Sequence, residues 1–144
     1  EKLEFSGLIR PLVARFQIEV AEEKYRKGIQ LYKDRTYDSA DAQFTKSLEY
    51  YDEPAYKGSL LYHQGMCALG QKDFSRASQL LRESLDYKLD KRIIGSARYH
   101  LAFAFDRLDE RRTARELYAK FLSRHKGHRF APRARRRYER LKKK

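Results

Sequence analysis

The sequence predicts an all-α chain, a solenoid of stacked helix pairs closed by a basic C-terminal helix. Three observations predict it. A Tyr-x-x-Gly/Ala motif recurs at a spacing of 37 residues, in KYRKG (24–28), LYHQG (61–65) and RYHLA (98–102). Within each unit small and apolar residues fall at i, i+3, i+4 and i+7, as in Tyr25, Gly28, Ile29 and Tyr32, which is one stripe of an α-helix. Only 3 prolines and 7 glycines interrupt 144 residues, so long helices have room to form.

The elements follow in chain order. Residues 1–20 read as a segment running as a helix into the first repeat, because Leu8, Leu12, Phe16 and Val20 have helical spacing and Pro11 suits a first helical turn. RFQIEV (15–20) also alternates like a strand, but a solenoid offers no sheet to receive it. Repeats then occupy 21–57, 58–94 and 95–130. Five columns align at 37 without a gap: the tyrosines; Gly28, Gly65 and Ala102; Ala40, Ala77 and Ala114; Phe44, Leu81 and Tyr118; and Leu48, Leu85 and Leu122. The small column should let the alanine of the second helix approach closely, with Tyr37 and Phe74 filling space beside that contact. The turns DRTYDS (34–39), QKDFS (71–75) and LDERR (108–112) separate the helices of a pair. Thr36, Asp73 and Asp109 are the candidate N-caps there, their oxygens able to accept orphan backbone N–H groups. In residues 131–144, Ala134, Tyr138 and Leu141 form one apolar stripe opposite a basic face, as a helix covering the open end of a solenoid requires.

These columns resemble the tetratricopeptide repeat (TPR): Gly or Ala, then Ala twelve residues on, a large apolar residue at +4 and a small one at +7. The match covers roughly residues 21–128, and the units are longer than the usual ~34 residues. The surplus falls after the second helix of each pair. Such stretched units are similar to bacterial TPR proteins of cell-envelope and scaffold type. Lys24 and Arg98 stand where the family often has tryptophan. The resemblance implies three TPR-like helix pairs whose first helices line a groove for an extended peptide or a partner helix. Its groove positions fall on Tyr25, Ile29, Tyr32 and Lys33, on Tyr62, Met66, Leu69 and Gly70, and on Tyr99, Phe103, Asp106 and Arg107. Tyr62, Met66 and Tyr99 are expected at its centre. The TPR subclass that clamps acidic chaperone tails uses Lys and Asn where Tyr25 and Ile29 stand, so an ordinary chaperone-tail adaptor is not expected.

Composition narrows the function. No phosphate-binding glycine loop and no nucleophile elbow occurs, and no enzyme activity or cofactor is expected. The single cysteine, Cys67, excludes an intramolecular disulfide, and the four histidines offer no complete zinc site; they read as solvated or groove-edge residues. Net charge is +13, and residues 129–144 alone carry nine Arg/Lys against one Glu. Two function classes therefore stand: a monomeric protein-interaction scaffold binding another protein through its groove, or a basic adaptor binding nucleic acid or anionic lipid through Arg133, Arg135, Arg136, Arg137, Arg140 and Lys142. No apolar run is long enough to span a membrane, and no signal peptide is visible. A cytoplasmic location is the expectation, or a periplasmic one if a leader precedes Glu1.

Overall fold

The computed structural model describes the backbone of residues 2–143 and the side chains of residues 10–143. Among them lie seven helices and no strand: α1 Lys2–Lys33, α2 Tyr37–Tyr50, α3 Pro54–Gly70, α4 Phe74–Ser84, α5 Lys91–Arg107, α6 Arg111–Arg124 and α7 Ala131–Lys142. α1 pairs with α2, α3 with α4 and α5 with α6; each pair stacks on the next, and α7 packs on α6. The all-α solenoid of three helix pairs with a terminal basic helix is what the repeat predicts.

The within-pair turns are alike because one backbone conformation recurs at the period. Arg35, Lys72 and Asp109 have φ of 62°, 61° and 60°. The next residue's N–H reaches back across the helix end: Thr36 to the Leu31 carbonyl (2.9 Å), Asp73 to Ala68 (2.9 Å) and Glu110 to Phe105 (3.0 Å). Each first helix thus ends in a left-handed closure that satisfies its last carbonyls. This corrects the third cap: Asp109 takes the left-handed position and Glu110 the N-cap place. Asp73 caps α4, accepting from the Arg76 N–H at 3.1 Å, whereas Thr36 makes no side-chain cap bond.

The small columns pack differently from the sequence expectation. A Cβ on Gly28 would stand 2.6 Å from the Phe44 ring, and one on Gly65 would stand 2.8 Å from Leu81 Cγ. The nearest neighbours of these glycines are thus the large column, Phe44 and Leu81, rather than Ala40 and Ala77. A further small column escaped the sequence reading. Ala21, Gly58 and Gly95 share the period and are all buried. A Cβ on Gly58 would lie 2.7 Å from Tyr87 Cβ, and one on Gly95 would lie 2.7 Å from the His128 ring. Gly58 and Gly95 receive the chain that follows the second helix of their own unit.

Buried polar side chains among the described residues are paired, as burial demands, with Gln43 Oε1 the exception. Ser47 and Tyr56 both donate to the Ala21 carbonyl, at 2.7 and 3.0 Å. Arg76 joins α4 to α2 through both oxygens of Asp41, at 3.1 and 3.0 Å.

The N-terminal region departs from expectation in two ways. α1 is one helix of 32 residues in which Pro11 lies inside, not in the first turn. The stripe expected to run into the repeats is uncovered over most of its length: Leu12 is 65% and Phe16 62% exposed, and packing begins near Val20 and the buried Ala21. The side chain of Leu8 lies outside the described residues. No helix among the described residues is long and apolar enough to cross a membrane.

Candidate functional site

The tyrosine ladder is a set of rivets between units. Tyr25 is half-buried against Phe44, Tyr56 and His63, with its hydroxyl 3.3 Å from His63 Nδ1. Tyr62 is 7% exposed and shares a 2.7 Å hydrogen bond with Ser96 Oγ on α5. Tyr99 is 7% exposed and stacks on Phe130 at 4.6 Å, with Tyr118 and Phe121 behind it. Each ring meets the unit that follows, because a residue on the inner side of a first helix faces the seam as the next pair arrives. The expectation of Tyr62 as an open groove anchor is corrected accordingly: ring and hydroxyl are both engaged inside the stack. Burial pushes the Tyr25 and Tyr32 hydroxyls up to about 12.

The other expected groove residues divide. Ile29 and Tyr32 pack against the cluster around Phe44, and Met66 and Leu69 against the one around Leu81 and Leu101. Phe103 and Arg107, with an edge of Tyr99, line an open hollow of about 660 Å³ between the C-terminal half of α5 and α7. Its other wall is the basic helix: Arg133, Arg136, Arg137 and Arg140 face the same space. The two surfaces kept apart in the sequence reading, groove and basic patch, meet here. Arg135 faces instead a second hollow of about 410 Å³ shared with Arg136 and Arg140. Lys142 lies over the Tyr138 ring at 5.2 Å and 3.9 Å from Glu139.

Side chains, more than backbone proximity, hold α7 to α5. Arg137 donates to both oxygens of Asp106, at 2.7 and 2.6 Å, and the Tyr118 hydroxyl donates to the same carboxylate at 3.1 Å. Hydrogen bonding to Asp106 holds the Arg137 guanidinium above its usual range. Arg107 stacks on Phe74 at 5.0 Å, and Arg133 lies 5.8 Å over Phe130. Among the described residues no carboxylate lies within ion-pairing distance of Arg107, Arg133, Arg136 or Arg140. Phe130, which seats Tyr99, follows Tyr56 and Ile93 at the same period, an apolar column that the five aligned columns do not include.

The histidines are structural and more buried than the sequence suggested. His63 and His100 each place Nδ1 2.8 Å from the carbonyl four residues earlier, Ser59 and Ser96. Burial lowers His100 to about 4. Arg98 donates to His125 Nε2 at 3.0 Å. No group of three or more potential metal ligands occurs among the described residues. Cys67 is buried, and burial raises its thiol to about 12, so it is unreactive.

No family model and no curated protein sequence matches the chain. Solved structures match over nearly all of it. A TPR-like protein from Chlorobium tepidum is 16% identical with a TM-score of 0.78, covering 90% of this chain and 98% of that one. The TPR domain of Arabidopsis OM64 is 17% identical with a TM-score of 0.73, covering 88% and 98%. The second TPR domain of human RPAP3, in complex with an HSP70 peptide, is 16% identical with a TM-score of 0.69, covering 91% and 99%. The fold is the TPR fold.

Proposed function

We propose that this TPR-fold chain is a non-catalytic protein-interaction module that holds a peptide or helix of a partner protein in the hollow between α5 and α7. One observation carries the reading: the surface of Tyr99 and Phe103 and the arginines Arg107, Arg133, Arg136 and Arg140 converge on one space of about 660 Å³. That volume lies within the ~300–1,000 Å³ usual for ligand sites. Aromatic and arginine side chains are the types that dominate interface energies. The RPAP3 domain with its HSP70 peptide supports peptide binding as a use of this fold.

The test is selection from a displayed peptide library, followed by amide chemical-shift mapping of a selected peptide. Shifts clustered on Phe103, Arg107 and Arg136, with binding lost in Phe103→Ala, are expected. Shifts confined to α4 and α6 would refute the placement.

A second reading has its own observation. Arg135, Arg136 and Arg140 are exposed on one helix and also border the outer hollow. They could meet nucleic acid or anionic lipid. Phosphate binding of that kind weakens steeply with salt, which separates it from peptide binding.

A further inference from the structure

We infer that the hollow between α5 and α7 recognises an extended acidic segment of the partner, with carboxylates on alternate residues. The inference rests on the interaction-module reading and names the chemistry of its ligand.

Charge is the first argument. The lining holds five arginines and two aspartates, a net of three positive charges in a half-enclosed space. The Asp106–Arg137 pair is satisfied within the protein, at 2.6 and 2.7 Å, so Arg107, Arg133, Arg136 and Arg140 are the arginines left to meet a ligand. Arginine binds carboxylate through a planar fork of donors, and such charge-assisted bonds are the strong ones.

Preorganisation is the second. Phe74 under Arg107, at 5.0 Å, and Phe130 under Arg133, at 5.8 Å, restrict those guanidiniums before any ligand arrives. Less side-chain entropy is then lost on binding.

Spacing is the third. Arg133, Arg136 and Arg140 are three and four residues apart on α7, so they rise by about 4.5 and 6 Å along the helix. Residues on one face of an extended chain repeat every ~6.6–6.8 Å. Carboxylates at alternate positions can therefore meet successive arginines, while the residues between them turn toward Phe103.

The carboxylates decide against nucleic acid. Asp106 and Asp109 lie in the same lining. Asp106 is already held by Arg137, so Asp109 is the acid a ligand meets. A phosphate backbone is charged at every residue, whereas a peptide with carboxylates only at alternate positions can turn an N–H donor toward it.

The test uses the intact chain and a blocked fluorescent peptide with glutamate at alternate positions and one central leucine. Its partners are the same peptide with glutamine for glutamate, a single-stranded oligonucleotide, and vesicles containing anionic lipid. The glutamate peptide should bind at least about tenfold more tightly than the glutamine peptide. R136E/R140E should weaken it by a similar factor, while R135E has little effect; both variants should retain the wild-type melting temperature. Equal binding of the two peptides overturns the acidic inference but leaves the interaction module standing, and so does failure of both while library peptides map to Phe103. Tighter, steeply salt-dependent binding of oligonucleotide or vesicles, lost equally in R135E, overturns it in favour of the second reading.

Discussion

Arg137 and Asp106 are joined by two hydrogen bonds of 2.7 and 2.6 Å, and this pair fixes the distance between the last repeat and the helix that closes the stack. The Asp106 side chain is 9% exposed and that of Arg137 39%. Removing one partner would leave a nearly buried charge uncompensated, while half-exposure of the other screens part of the loss. Arg137→Ala should therefore cost about 2–3 kcal/mol by chemical denaturation. Hydrogen exchange should show α7 losing protection before α3 and α4. Uniform loss across the chain would contradict the local role.

Acid should weaken the fold through its histidines. Burial lowers His100 to about 4 from an ordinary 6.5, and the nearby Arg129 and His128 act the same way against the Ser96 carbonyl. Above about 6.5 the ring is neutral in both folded and unfolded chains and stability is full. As pH falls from there toward 4, the unfolded chain binds a proton that the folded chain refuses, and stability falls. The window is worth roughly 3 kcal/mol. His63, His125 and His128 are lowered too and add in the same direction. Urea midpoints measured across this range should decline with acid, and His100→Gln should flatten part of the slope; a flat wild-type profile would rule the mechanism out.

Gly65 sets a helix-propensity gain against a packing loss. Alanine there would favour the helix by ~1 kcal/mol. Its Cβ would stand 2.8 Å from Cγ of the fully buried Leu81, an overpacking that costs ~1–3 kcal/mol. Gly65→Ala should be destabilising by about 1 kcal/mol net. Gly127→Ala, with nothing within 4 Å of the new carbon, is the comparison. A stabilised Gly65→Ala would show that the close approach is soft.

The turn at Lys72 predicts the reverse sign. Its φ of 61° is strained for a side chain and natural for glycine. Lys72→Gly should raise the melting temperature by the equivalent of about 0.5–1 kcal/mol. A lower melting temperature would place the residue's value in its side chain instead.

The repeat was legible because each contact recurs with the period, so each leaves a column: Gly28 with Phe44, Gly65 with Leu81. The burial of Tyr62 was not legible in the same way. Helical spacing tells which residues share a face, but how far the following pair covers that face depends on a partner such as Ser96, which no column links to Tyr62. The meeting of groove and basic helix was hidden for a related reason. The orientation of α7 is set by Asp106 with Arg137, a pair without a counterpart one period earlier, where Leu69 and His100 stand. It is set also by Phe130, which follows Tyr56 and Ile93 at the period in a column outside the five aligned ones. Asp106 was among the expected groove residues, but its charge alone did not say which of many arginines it would hold.

The seam between α3 and α5 has a bearing on how such a molecule can grow. Tyr62 is tied to Ser96 at 2.7 Å, and one period earlier the chain already carries a serine, Ser59. In a gene carrying residues 58–94 twice in tandem, the first copy's Tyr62 would meet the second copy's Ser59 across the new seam. Each left-handed turn and each glycine notch would find its counterpart as well. The architecture is therefore open to elongation by duplication, and in a stack held by nearest-neighbour contacts each added block brings its own interface with it. The closing helix and its arginine-lined hollow would be carried along unchanged at the end.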